Sequence, residues 1–127
     1  MITADVATDA LRAWWSGAFG SSYSFFSATL VRATPLAFTG VAVALAFRAG
    51  VLNIGAEGQL LAGAAFATAV ALSASSLGSF ALILALLAGM IGGAAWAAIA
   101  AWLKVRFDVL EVISTIMLNF VATNVVA

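Results

Sequence analysis

The sequence contains no cysteine, no histidine and only one lysine among its 127 residues. Without cysteine there is neither a disulfide framework nor a thiolate site, and the additional lack of histidine excludes the usual zinc ligand sets and His-based catalytic arrangements. The lysine, Lys104, follows Leu103 rather than a glycine, so the phosphate-binding loop G-x-x-x-x-G-K-[ST] is absent. We therefore predict no metal site, no cofactor and no catalytic residue, and the chain is not predicted to be an enzyme.

Charged residues are scarce and apolar residues are abundant. Five basic and five acidic residues make up 8% of the chain, the net charge is zero, 65% of the residues are hydrophobic and the mean hydropathy is +1.19. A soluble domain usually has about 45 to 50% apolar and about 25% charged residues. The composition predicts a protein of the lipid bilayer, and the lack of a basic surface argues against nucleic acid as a partner.

The longest uncharged stretch lies between Glu57 and Lys104 and has 46 residues. As one helix it would be roughly twice as long as the ~30 Å hydrocarbon core of a bilayer, so it must fold back once. Its only cluster of Ser and Gly, at 73–79, predicts the position of the turn. Two membrane spans follow from this, at about 54–74 and 80–103.

Two further spans and one interfacial segment are predicted outside this stretch. A full span over about 25–47 takes in Arg32, and a last apolar segment runs over about 109–127. Polar residues recur in 1–24 with the period of an amphipathic helix, which would lie in the membrane interface; the alternative is a frayed tail outside the membrane. The sequence thus predicts an all-α, polytopic transmembrane protein with about three to four spans.

The cations predict the orientation of these spans. If the turn at 73–79 lies on one side of the membrane, Arg48, Lys104 and Arg106 lie together on the other side. The positive-inside rule makes that side cytoplasmic and the turn external. Arg12 and Arg32 then lie outside, against the rule, and this conflict disappears if a further span precedes them.

The segment 47–59 combines three glycines with the polar residues Asn53, Glu57 and Gln59. Glycines weaken a helix, and a non-helical break at membrane depth survives only where protein or a water-filled cavity satisfies its backbone. An ionisable residue at such a depth is a functional candidate, so we place these three side chains near a polar path. The alternative is a cytoplasmic interfacial loop in which Glu57 is simply solvated.

A second motif is the G-x-x-x-G of Gly89 and Gly93, which is extended by Ala85 and Ala97. Small residues on every fourth position let two helix backbones approach closely. The motif therefore predicts helix packing, either between two copies of the chain or against another helix of the same chain.

A third motif lies in the last apolar segment, where Glu111, Thr115, Asn119 and Thr123 are spaced by four and form one polar stripe. In lipid such a stripe must face protein or water. It could line the polar path, with Asn119 as a further path candidate, or it could form hydrogen bonds between helices. Glu111 could also serve only as the acidic first turn that a helix dipole favours.

Four ordered blocks of the sequence closely resemble the membrane permeases of bacterial ABC importers, in the nucleoside and simple-sugar branch of the group that includes ribose and branched-chain amino-acid permeases. These blocks are VRATPL at 31–36, ALAFRAG at 44–50, LNIGAEGQL at 52–60, and LKVRF at 103–107 followed by EVISTIMLN at 111–119.

The resemblance implies an all-helical, multi-pass protein of the bacterial inner (plasma) membrane. It also implies a second permease chain, cytoplasmic ATP-binding subunits and an extracytoplasmic substrate-binding protein as partners, with alternating access driven by ATP hydrolysis on the partner chains. Permeases of this family have a helix before the region matching 14–23 and further spans after position 127. We therefore expect residues 1–127 to be a partial permease domain, that is, a fragment of a longer protein.

Two functions are consistent with these observations. The first is a permease component of an ATP-driven importer for nucleosides or simple sugars, forming part of the translocation path. The alternative is a small oligomerising membrane protein in which the helix carrying Gly89 and Gly93 is an assembly surface without a transport role.

Overall fold

The computed structural model describes residues 4–126, which contain helices and no strands. The predicted all-α fold class is confirmed. Residues 1–3 of the predicted interfacial segment and residue 127 of the last predicted span lie outside the described residues. The helices are α1 (Ala4–Phe19), α2 (Val31–Arg48, preceded by the π-helical turns Ser24–Leu30), α3 (Ala56–Ser73), α4 (Ser79–Phe107) and α5 (Glu111–Val126), with a short 3₁₀ turn at Ser75–Leu77.

Three helical stretches are long and apolar enough to cross a membrane, as judged by length and composition. They are Ser24–Arg48 with 25 residues, Ala56–Ser73 with 18 and Ser79–Phe107 with 29. The described part of α5 is apolar and has 16 residues. Helix α2 ends at Arg48, whereas α4 continues past the cations Lys104 and Arg106 to Phe107.

The chain divides into two compact units, Met1–Gly40 and Val41–Ala127. In the first unit, α1 packs against the π-helical turns that follow it. The Thr29 hydroxyl donates a hydrogen bond of 2.8 Å to the carbonyl of Ala18, and the ring of Phe19 lies 5.9 Å from that of Phe25. This unit has no buried apolar residue in its described part, so its apolar side chains are available to lipid or to other protein segments.

The second unit is built on α3, α4 and α5, and its interior consists of small residues. The chain reverses direction between α3 and α4 at the Ser- and Gly-rich turn, and α5 then packs against both helices. The buried apolar residues of the described chain are all alanines, at positions 62, 81, 85, 100 and 122. Large apolar side chains, such as those of Leu82 and Ile83, point outward. This distribution suits helices that pack by close backbone approach while their bulky side chains face lipid.

The end of α4 is fixed by Asp108, which adopts a left-handed conformation with φ of 52°. Its backbone N–H donates to the carbonyl of Lys104, and its carboxylate accepts a hydrogen bond of 2.8 Å from the Lys104 ammonium group. This hydrogen bond and the charge of Lys104 lower the pKa of Asp108 below its ordinary value. Because the chain turns sharply here, α5 begins only three residues later, at Glu111.

Candidate functional site

A non-helical break separates α2 from α3. Helix α2 ends in a Schellman motif, in which the N–H of Gly50 donates to Phe47 and the N–H of Val51 donates to Ala46. The motif needs a residue with positive φ, and Gly50 has φ of +79°. Residues 51–55, called the break below, are then non-helical until α3 begins at Ala56.

The break lies against α5, and polar side chains of α5 bind its backbone. The carboxylate of Glu111 accepts a hydrogen bond of 3.0 Å from the N–H of Leu52. One turn further along α5, the hydroxyl of Thr115 accepts a bond of 3.3 Å from the N–H of Ile54. Because the break is not helical, these two backbone N–H groups have no partner within it, and the side chains of α5 supply one.

Asn119 makes the third and most extensive contact, because its side-chain amide bonds in two directions. Its Oδ1 accepts a hydrogen bond of 2.9 Å from the N–H of Gly58, in the first turn of α3, and its Nδ2 donates one of 3.1 Å to the carbonyl of Ile54. We call Glu111, Thr115 and Asn119 the α5 ladder. Its members are three of the four residues in the polar stripe, and Thr123 instead donates to the carbonyl of Asn119 within its own helix.

Two glycines allow the break to approach α5 so closely. A Cβ atom on Gly55 would lie 2.9 Å from the Cβ of Thr115, and one on Gly58 would lie 2.8 Å from Oδ1 of Asn119. Both glycines are buried. Of the three glycines in segment 47–59, Gly50 ends α2, and Gly55 and Gly58 allow close packing against α5.

Asn53 and Gln59 form a reciprocal amide pair across the break. The Asn53 Nδ2 donates to Gln59 Oε1 over 3.3 Å, and Gln59 Nε2 donates to Asn53 Oδ1 over 3.2 Å. The same Oδ1 accepts a shorter bond of 2.8 Å from the N–H of Gly55. Asn53 thus orients the last residue of the break, and Gln59 holds Asn53 in place.

Glu57 differs from its polar neighbours. Its side chain is exposed on the first turn of α3, and within residues 4–126 its carboxylate makes no hydrogen bond or ion pair. A carboxylate in the first turn interacts favourably with the positive end of the helix dipole. Of the three polar residues predicted in segment 47–59, the structure brings Asn53 and Gln59 together and leaves Glu57 directed outward.

Helices α3 and α4 cross at glycines. A Cβ on Gly63 would lie 2.8 Å from the carbonyl oxygen of Gly89, and one on Gly93 would lie 3.1 Å from the carbonyl oxygen of Gln59. The G-x-x-x-G motif of α4 is therefore covered by α3 of the same chain. Gly63, which the sequence analysis did not identify, is the residue of α3 that contacts this motif. Its spacing of four from the small residue Ala67 could have indicated a packing surface on α3.

This crossing also shows how far the start of α3 lies from the charged end of α4. Gln59 lies at the level of Gly93, and the eleven residues from Gly93 to Lys104 correspond to about 16 Å along the helix axis. Glu57, two residues before Gln59 in the antiparallel helix, lies about 13 Å from the level of Lys104. The first turn of α3 is therefore set back from the end of α4.

A cavity of about 370 Å³ lies beside the break, on its Lys104 side. Its walls are mainly apolar and come from small residues of α2 and α4 together with Val51, and its polar lining residues are Asn53, Gln59, Lys104, Glu111 and Thr115. No three His, Cys, Asp or Glu side chains of the described chain are grouped so as to hold a metal ion. Amide, hydroxyl, carboxylate and ammonium groups therefore adjoin a cavity whose surface is almost entirely apolar.

The sequence matches a known family model and several curated proteins. Residues 25–127 match the model described as branched-chain amino acid transport system, permease component. The chain is 50% identical over 93 residues to the glucose ABC transporter permease protein TsgB13 of Haloferax volcanii. The matched segment makes up 73% of this chain and 24% of that protein. It is 43% identical over 112 residues to the guanosine ABC transporter permease protein NupP of Bacillus subtilis, covering 88% and 32%.

A further relative is the nucleoside ABC transporter permease protein NupB of Lactococcus lactis, which is 37% identical over 105 residues, or 82% of this chain and 29% of that protein. The chain thus spans between about a quarter and a third of the length of these relatives. No solved structure shows significant similarity to it.

Proposed function

Because the chain belongs to the family of branched-chain amino acid transport system permease components, we propose that it forms part of the translocation path of an ATP-driven importer. It is a multi-pass protein of the bacterial inner (plasma) membrane, and three of its helical stretches are long enough to cross the bilayer. In this proposal the chain itself performs no covalent chemistry, and ATP hydrolysis takes place on partner subunits.

The proposed substrates are nucleosides or simple sugars. Support comes from the relatives, whose names assign them glucose, guanosine and nucleosides. These molecules share a neutral, hydroxyl-rich sugar, which amide groups can bind through paired donors and acceptors. The proposed partners are a second permease chain, cytoplasmic ATP-binding subunits and an extracytoplasmic substrate-binding protein.

The observation that carries this proposal is the exposed position of Glu57, about 13 Å from the level of Lys104 along the helix axis. If Lys104 and Arg106 mark the cytoplasmic interface, as cations at the end of an apolar helix do, Glu57 lies about 13 Å inside a hydrocarbon core of about 30 Å. Its side chain is exposed on the surface of the α3–α5 unit. Since an ionised side chain in lipid is costly, we infer that Glu57 faces a water-filled path or another protein segment.

We assign the remaining polar residues positions beside this path. Asn53 and Gln59 adjoin the cavity as a hydrogen-bonded pair. Asn119 lies beside them and binds the backbone on both sides of the α3 start. In this assignment Glu57 is the group that is free to interact with water or substrate.

Uptake measurements on the full-length permease with its partner subunits test the proposal. Glu57→Ala should abolish uptake while membrane insertion stays normal, because removing a charge makes insertion easier. Glu57→Gln should retain part of the activity if hydrogen bonding is the main role, since the amide keeps the shape and one acceptor. Asp5→Ala is the matched control, because Asp5 is an exposed carboxylate in the first turn of α1.

Normal uptake by Glu57→Ala would remove Glu57 from the path. Loss of uptake in both Glu57→Ala and Asp5→Ala would point to a general sensitivity to charge removal. The proposal requires that only the substitution in α3 stops transport.

A further inference from the structure

The polar side chains of α5 form two groups that differ in their hydrogen-bond partners. Thr123 and Asn124 donate only to carbonyls one turn earlier in α5, over 2.9 Å and 2.7 Å. The ladder residues Glu111, Thr115 and Asn119 also bind the backbone of residues about sixty positions earlier in the sequence, even though the Thr115 hydroxyl donates to the carbonyl of Glu111 as well. The ladder is therefore a tertiary contact, whereas the two later residues satisfy only their own helix.

The ladder and the backbone that it binds match in spacing. Four residues along α5 advance the helix by about 6 Å, and the two extended residues from Leu52 to Ile54 advance the chain by roughly 6.6 Å. From Ile54 to Gly58 the chain enters α3, where about one helical turn brings the next free N–H to Asn119. A shift of α5 by one residue would misalign all three contacts, so the ladder fixes one register between α5 and the break.

The side-chain oxygens of the ladder accept the hydrogen bonds that water would accept from these backbone N–H groups outside a membrane. The amides of a helix start and of a non-helical segment need partners, and lipid offers none. Gly55 and Gly58 have no side chain that would separate the two surfaces, and a Cβ at either position would lie within 3.0 Å of a ladder side-chain atom. The ladder thus supplies the acceptors, and the two glycines allow the close approach that these hydrogen bonds need.

We propose that Glu111, Thr115 and Asn119 are positioning residues, which fix the register of α5 against the break and so hold Glu57 at the surface that faces the path. The role of Glu57 in this statement rests on the proposed function. The positioning of the break does not, and it can be measured without transport.

The test is the labelling rate of a single buried thiol on α5. Ser114→Cys is suitable because the sequence has no other cysteine, because Ser114 is buried beside the ladder, and because its hydroxyl bonds only to the carbonyls of Leu110 and Glu111 just before it in the chain. In permeabilised membranes that contain the full-length permease, we expect Asn119→Leu to raise the rate of labelling by a water-soluble maleimide about fivefold, which at 1.4 kcal/mol per tenfold corresponds to about 1 kcal/mol of lost hydrogen bonding.

Matched variants separate positioning from a general effect on the fold. Asn124→Leu makes the same chemical change on the same helix and should leave the labelling rate unchanged. Asn119→Asp keeps an acceptor for the N–H of Gly58 but loses the donor to the carbonyl of Ile54, so it should restore only part of the protection. Gly58→Ala disturbs the same contact from the opposite side, so it should raise the rate even if Asn119→Leu reduces the amount of inserted protein.

The proposal is overturned if Asn119→Leu and Asn124→Leu give equal labelling rates, or if Asn119→Asp is labelled as fast as Asn119→Leu. Uptake is measured on the same membranes. Faster labelling with normal uptake would support the positioning role and contradict the proposed role of Glu57, whereas lost uptake with unchanged labelling would contradict the positioning role alone.

Discussion

Gly63 lies so close to Gly89 that a Cβ atom on Gly63 would be 2.8 Å from the carbonyl oxygen of Gly89. In the reverse direction, a Cβ on Gly89 would lie 3.2 Å from the carbonyl oxygen of Gly63 and 3.3 Å from the Cβ of Ala67. The two helices therefore meet through their backbones at this point. Since lipid competes equally well for large apolar side chains, close backbone contact is the main source of packing energy available to this pair.

The first prediction concerns this crossing. Gly63→Ala and Gly89→Ile should each destabilise the protein by about 1 to 3 kcal/mol, because the added atoms must push the helices apart. Thermal unfolding of the purified protein in detergent measures the effect. Gly40→Ala is the matched control, since a Cβ on that glycine would meet nothing within 4 Å and the substitution only improves helix propensity. If Gly63→Ala and Gly40→Ala shift the unfolding temperature equally, the close crossing is wrong.

The outlines of the fold could be predicted from the sequence because the bilayer imposes them. The length of the uncharged stretch requires a reversal, and the cluster of Ser and Gly is the sole segment able to form it, so the ends of α3 and α4 at Ser73 and Ser79 follow from length and composition. The packing partner of the Gly89 motif could not be predicted. The spacing of small residues identifies a close contact but does not encode which helix makes it.

The same limit applies to the candidate site. The spacing of Glu111, Thr115 and Asn119 by four was visible as a polar stripe, but their partners in the break and in α3 are backbone N–H and carbonyl groups, which carry no signal in the sequence. The bond from Asn119 to Ile54 joins residues 65 positions apart. Whether such a stripe faces a path or another segment depends on the helix register, and that is a property of the tertiary structure.

The second prediction concerns orientation across the membrane. A cysteine at Ser76, which is exposed in the 3₁₀ turn Ser75–Leu77, should react with a membrane-impermeant thiol reagent added outside intact cells. A cysteine at Arg106, exposed near the end of α4, should react only after the membrane is permeabilised. The physical reason is the positive-inside rule applied to Arg48, Lys104 and Arg106. The opposite labelling pattern would reverse the orientation and place the cavity beside the break on the external side.

The last prediction concerns the amide pair of Asn53 and Gln59, whose members differ in their further contacts. Gln59→Met keeps the length of the side chain and removes only the two pair bonds. Asn53→Leu removes these bonds and also leaves the N–H of Gly55 without its acceptor at 2.8 Å. A buried N–H without a partner costs about 1 to 3 kcal/mol, so Asn53→Leu should be clearly more destabilising than Gln59→Met in detergent unfolding.

The double variant completes this argument. With Asn53 already replaced, the pair bonds no longer exist, so adding Gln59→Met should cost little, and the two substitutions should show a coupling of about 0.5 to 1.5 kcal/mol. Combining Asn53→Leu with Thr68→Val is the control, since the Thr68 hydroxyl bonds only to the carbonyl of Ala64 in its own helix and should add independently. Strict additivity of Asn53→Leu and Gln59→Met would mean that the two amides do not hold each other, and the orientation of the break would then depend on the α5 ladder alone.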